Sequence, residues 1–252
     1  DAPTPGSVLL AGVLLKMGGY GFFRISYPIF PDAAQAVSFW MALLGTINIV
    51  YGAFVCLAQT DFKRLVAYSS VSHMGFVLLG LASLTPEGLN GAMLQMFSHG
   101  IISGAMFLLV GVLYDRTHTR DLEAFGGLAA RLPVYAGFLM LFSLASLGLP
   151  GLSGFVAEFL ALVGAFQVPQ LQALTILSVV GIVVAAAYML KVIRHVLLGP
   201  LNERWAALSD MDWREKLSLA PLALATIAVG LCPLLVIGLQ DASLQALIAS
   251  VK

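Results

Sequence analysis

Apolar positions in this chain come in long blocks, with little of the alternation of a half-buried strand or the three-to-four spacing of a surface helix. A helix needs roughly 20 apolar residues to cross a hydrocarbon core of about 30 Å. Blocks of that kind lie near 6–25, 33–59, 63–84, 88–114, 133–167, 171–196 and 217–238. They predict an all-α membrane protein, a polytopic bundle of about seven transmembrane helices, with residues 1–252 forming one transmembrane domain. The fifth block is too long for one straight crossing, since its 35 residues as unbroken helix would measure roughly 50 Å. Its centre reads Gly148-Leu149-Pro150-Gly151-Leu152-Ser153-Gly154. Proline removes a ladder hydrogen bond and glycine frees the backbone, so Gly148, Pro150 and Gly151 predict a discontinuous helix. Irregular backbone at membrane depth survives where it is buried in protein or lines a watered cavity. A plain proline kink in a packed helix is the blander reading.

Composition agrees with the pattern: 60% of residues are apolar, 10% are charged and the mean hydropathy is +0.94. Net charge is zero, which gives no footing for nucleic acid. Charge placement sets an orientation. If the fifth block crosses once, ten basic residues, from Lys63 and Arg64 to Arg214 and Lys216, gather on one face, and Arg24 and Lys252 occupy the other. A double crossing would divide them evenly and abolish the positive-inside bias. One broken crossing is therefore preferred, with the start of the first span inside and Lys252 outside. Asp115 to Asp121 reads as a polar loop, a contact for soluble or neighbouring parts, followed by a short interfacial helix through Leu132. The chain opens on Asp1 without an initiator methionine, and the expectation is a fragment.

Candidate chemistry comes from four ionisable side chains that interrupt separate apolar blocks. Lys16 stands ten residues from each end of its span, beyond the reach of a snorkelling stem, and a lysine at a helix centre costs about 2.5–3.5 kcal/mol to insert. His73 has Ser69 and Ser72 nearby on its helix. Gln95, Ser98, His99 and Ser103 form a polar stripe along the next one. Glu158 follows the glycine-rich break with no basic residue within a helical turn. Imidazole titrates near neutral pH and has two nitrogens, so this set points to a proton relay through Lys16, His73, His99 and Glu158, with Ser69, Ser72, Gln95, Ser98 and Ser103 ordering water. Helix axes 8–10 Å apart require bridging water between most pairs. The passive alternative is a scaffold bundle in which Lys16 and Glu158 pair directly. Thr46 and Asn48 read equally as watery interior or as interhelical glue.

Some chemistry finds no support. Cys56 and Cys232 lie far apart in apolar runs, with no CxxC, and read as packing residues. No His/Glu pair has metal-ligand spacing, and Gly18-Gly19-Tyr20-Gly21 lies inside a span where glycine serves close helix packing. No metal, nicotinamide, flavin or nucleotide site is expected on this chain.

The run Asp61 to Phe76 (DFKRLVAYSSVSHMGF), the run Met96-Phe97-Ser98-His99-Gly100 and the stretch from Gly148 to Glu158 resemble the antiporter-like membrane subunits of respiratory complex I, most of all the M-type (ND4-like) subunits of NADH:quinone oxidoreductase. The resemblance covers almost the whole chain and the later part of the family's roughly fourteen spans. It implies that Lys16 is the second lysine of a proton path, His73 and His99 its connecting histidines, and Glu158 the acid carried by a broken helix. It also implies that an earlier glutamate–lysine pair lies outside this sequence, and that NADH, FMN, iron–sulfur clusters and quinone belong to partner subunits. Antiporter-like neighbours in a membrane arm would be the partners, and the bacterial plasma membrane the location. Mrp-type cation/proton antiporters and hydrogenase membrane arms share most of these motifs.

Overall fold

A computed structural model describes residues 2–251. Asp1 and Lys252, the latter expected on the outer face, lie outside the described residues. The described residues form an all-helical bundle whose only β-type pairing is an isolated bridge between Asp61 and Asp121. The helices are α1 (Thr4–Ile29), α2 (Pro31–Ala58), α3 (Phe62–Ser83), α4 (Pro86–Thr117), α5 (Pro133–Ser146), α6 (Ser153–Phe166), α7 (Gln172–Val196), α8 (Trp213–Leu231) and α9 (Leu234–Val251). With the turn Pro169–Leu171 that leads into α7, six of them are long and apolar enough to cross a membrane.

Helix ends follow local chemistry. The Asp61 carboxylate accepts from the backbone N–H of Arg64 at the start of α3, and the Thr85 hydroxyl accepts from Gly88 at the start of α4, where Pro86 needs no donor. Asp212 and Glu215 close a reciprocal capping box on α8. Leu84 and His118, at φ 51° and 52°, stop α3 and α4 in the left-handed conformation.

The discontinuous fifth block is present: α5 ends at Ser146, α6 begins at Ser153, and Gly148 and Gly151 between them adopt φ of 82° and 94°. A β-carbon disfavours that conformation, which explains the glycines. The last block differs from expectation. Residues 217–238 straddle two helices, because Cys232 leaves the helical region and Pro233 cannot continue the ladder of α8. The interruption does not reverse the chain. Glu215 near the start of α8 pairs with Arg116 at the end of α4, while Gln240 and Asp241 of α9 reach Asn90 near the start of α4. Thus α8 and α9 run antiparallel to α4 as one interrupted path. The interfacial helix expected through Leu132 is replaced by two single turns, Leu122–Ala124 and Leu128–Ala130.

Within lipid, close approach of backbones contributes more to helix association than apolar burial does. Gly45 of α2 faces Gly75 of α3 so closely that a β-carbon on Gly75 would lie 2.5 Å from the Gly45 carbonyl oxygen. Gly88 and Gly91 of α4 meet Gly164 and Ala161 of α6 in the same manner. This contact brings α6 against the middle of the bundle. Helix α4 is the hub, packed against α1, α3, α5, α6, α8 and α9. At the basic end, the Arg116 guanidinium makes two 2.7 Å bonds to the Glu215 carboxylate and donates to the carbonyls of Ser209 and Asp210. The Asp210 carboxylate accepts from the backbone N–H groups of Val134 and Tyr135, anchoring the start of α5.

Candidate functional site

Local features present each ionisable group to its neighbour. Helix α1 contains two wider i→i+5 turns, Leu10–Leu14 and Phe22–Ser26. Beside the first, the Lys16 ammonium donates to the carbonyl of Ala11. Turns of this kind expose carbonyls that a regular helix would occupy. The same Nζ lies 2.7 Å from Nδ1 of His99 on α4.

The His99 ring leads to that of His73 on α3, at 5.3 Å between centroids and an angle of 47°. His73 uses both nitrogens: Nδ1 is 2.9 Å from Oε1 of Glu158 on α6, and Nε2 is 3.1 Å from Oγ of Ser146 on α5. Gln95 of α4 donates from Nε2 to the same glutamate oxygen at 3.3 Å. His73, His99 and Glu158 are each at most 6% exposed, so bulk solvent screens none of them. The four side chains form one file, Lys16–His99–His73–Glu158.

Of the expected water-ordering groups, Gln95 bonds to this file, while Ser98 and Ser103 share helix α4 with Gln95 and His99. Gln95 binds Glu158 directly, Ser98 donates to the carbonyl of Ser153 at 3.3 Å, and Ser103 is buried with an unbonded hydroxyl. Ser69 and Ser72 correct the expectation: they donate to the carbonyls of Val66 and Ile49, so their hydroxyls serve their own helix and the α2–α3 contact. Thr46 and Ser178 bond to each other across α2 and α7 at 3.1 Å, the interhelical role. Ser146 is the site residue that the sequence reading missed. Its one available signal was Ser143, three residues earlier on the same face of a helix that leads into the break.

Bridging water is needed at fewer places than the helix spacing suggested, because Lys16–His99 and His73–Glu158 are in direct contact. The step between the two histidines remains. There, a small cavity of about 10 Å³ is lined by His73, Gln95, His99, Ser146 and Glu158, among others, roughly the room one water needs. Nε2 of His99 and Oε1 of Gln95 are buried with no protein partner, so the site offers such a water a donor and an acceptor. Lys16 and Glu158 are not joined, as a passive ion pair would require, because two imidazoles stand between them. On its other side Lys16 borders a mostly apolar cleft of about 600 Å³ between α1 and α4, which α8 and α9 also reach.

Chemically, the arrangement suits proton exchange along a chain of hydrogen bonds. With Glu158 ionised, His73 donates from Nδ1 and its Nε2 accepts the Ser146 proton. With His73 protonated, both nitrogens donate. Among the described residues no group of three His, Cys, Asp or Glu side chains converges to hold a metal ion.

Comparison with known proteins places this geometry among relatives. The chain is 50% identical over 249 residues to NADH-quinone oxidoreductase subunit M of Rhodobacter capsulatus, covering 98% of this chain and 48% of that protein. It spans about half the length of the curated relatives it matches. Among solved structures it resembles a chain of respiratory complex I from Thermus thermophilus with bound NADH, at 32% identity and a TM-score of 0.88, over 94% of this chain and 50% of that one. A chain of the Mrp complex from Dietzia sp. DQ12-45-1b shares the fold alone, at 22% identity and a TM-score of 0.84, covering 97% of this chain and 54% of that chain. The family described as NADH:quinone oxidoreductase/Mrp antiporter, TM, matches residues 1–185, and with the buried file in place this chain belongs to that family of antiporter-like membrane subunits.

Proposed function

We propose that this chain is the later half of an M-type subunit in the membrane arm of a proton-translocating NADH:quinone oxidoreductase, and that Lys16, His99, His73 and Glu158 are its proton relay. The observation that carries this reading is the file itself, four titratable groups on four helices, joined by direct contacts at Lys16–His99 and His73–Glu158 with the two imidazoles adjacent between them. Burying them costs stability that a passive bundle would avoid with apolar residues of similar volume.

The geometry gives a sequence of transfers. Lys16 donates its proton to Nδ1 of His99, and the imidazole releases a proton from Nε2 into the small cavity. Water there, or the Ser146 hydroxyl, hands a proton to Nε2 of His73, which releases one from Nδ1 to Glu158. Each histidine thus takes a proton on one side of its ring and loses it from the other.

Electron transfer belongs to partner subunits of the membrane and peripheral arms, which would hold NADH, FMN, the iron–sulfur clusters and quinone. The basic loops face the cytoplasm in this reading, and the membrane is a bacterial plasma membrane. Lys16→Ala in the full-length subunit tests it: the complex assembles and proton pumping falls several-fold. Pumping at the wild-type rate would remove Lys16 from the relay. Sodium/proton exchange without NADH oxidation would favour the Mrp reading instead.

A further inference from the structure

Two buried hydroxyls next to the relay have no place in it. Tyr188 of α7 is fully enclosed and its hydroxyl has no hydrogen-bond partner; Ser143 of α5 is fully enclosed and its Oγ has none either. Native interiors tolerate few such groups.

The two lie on neighbouring helices, α5 and α7. The backbone N–H of Ala129 donates to the carbonyl of Leu197, which ties the approach to α5 to the end of α7. Ser143 is about 15 Å along α5 from its start at Pro133, and Tyr188 is about 14 Å back along α7 from Leu197, at 1.5 Å per residue. The helices α5 and α7 pack against each other, and Leu139 and Phe142 belong to the same apolar cluster as Tyr188. Ser146, which bonds to Nε2 of His73, is one turn beyond Ser143 on the same side of α5. Tyr188 is within electrostatic range of Glu158. Lys191, one turn beyond Tyr188, donates to the carbonyls of Leu57 and Gln59 at the basic end of α2.

From this juxtaposition we infer that Tyr188 and Ser143 form a water-linked branch that carries protons from the basic face, by way of Ser146, to Nε2 of His73. The branch rests on the relay reading and extends it with an entry on α5 and α7. No group in it needs to become charged. The Tyr188 oxygen receives a proton from water on the Lys191 side as its own proton passes to water shared with Ser143. The Ser143 and Ser146 hydroxyls repeat the exchange, His73 takes the proton at Nε2, and Nδ1 releases one to Glu158.

Tyr188→Phe and Ser143→Ala, each in the full-length subunit of the assembled complex, test the branch, with Lys16→Ala in parallel. The readouts are assembly, proton translocation in inverted vesicles and the solvent deuterium isotope effect on turnover. Phenylalanine keeps the packed ring, and removing a hydroxyl that does nothing there would leave all three readouts unchanged. The expected result is intact assembly, several-fold slower translocation and a larger isotope effect in both variants. If Tyr188→Phe fails to assemble, Ser143→Ala decides alone. Wild-type translocation and isotope effect in the variants that assemble, beside a defective Lys16→Ala, overturn the branch and leave the relay standing. Normal pumping by Lys16→Ala overturns both.

Discussion

Replacing Glu158 separates the charge of this residue from its hydrogen bonds. Its Oε1 accepts from Gln95 and meets Nδ1 of His73. In Glu158→Gln the amide oxygen accepts both bonds, so a charge-assisted contact worth about 1.5–3 kcal/mol becomes a neutral one worth about 0.5–1.5 kcal/mol. The expected loss of stability is about 1 kcal/mol, small enough for the subunit to fold and assemble. Glu158→Ala strands both donors at about 1–3 kcal/mol each, about 2–6 kcal/mol together, and adds the cost of a cavity against α4. Glutamine cannot take up a proton under these conditions, so both variants should lose proton translocation while only alanine loses assembled complex. Blue-native gels and Tm measure the first property, and pH-sensitive dye quenching in vesicles driven by NADH measures the second. Near-normal quenching with Glu158→Gln would refute the relay, and equal stability of the two variants would refute the bonding scheme.

Two further substitutions test the scaffold. Arg116→Ala leaves the Glu215 carboxylate without its two 2.7 Å bonds, and Glu215→Gln weakens them; a double-mutant cycle read by Tm should give a coupling of about 1–3 kcal/mol, against near zero for a screened surface pair. Gly151→Ala meets no atom within 4 Å of the new β-carbon yet forces alanine to φ 94°, so thermal unfolding should show a loss of about 1–2 kcal/mol from backbone strain alone.

Much of this was legible in the sequence because lipid punishes exceptions. Lys16, His73, His99 and Glu158 stood out as ionisable groups in apolar blocks, and the structure brings all four into one file. The break at Gly148–Gly151 was legible because glycine flanking proline has a local backbone meaning. Hydroxyls were harder. Serine is common in membrane helices and its Oγ bonds its own helix as readily as anything else, so Ser69 and Ser72 looked like better candidates than Ser146. Tyr188 was hidden inside an apolar run. The last block was misjudged because hydropathy averages over Cys232–Pro233, where the helix stops while the residues stay apolar. Asp210 and Glu215 look like ordinary loop charges in sequence, and only the fold reveals which helix ends they hold.

The two interruptions of this bundle touch. Gly230, in the last turn of α8, lies against the backbone of Gly151 and Leu152 in the gap between α5 and α6, with no space for a methyl group. A side chain at position 230 would therefore have to push the α5–α6 gap and the end of α8 apart, so the spacing of these two irregular segments depends on a hydrogen atom standing where any other residue carries carbon.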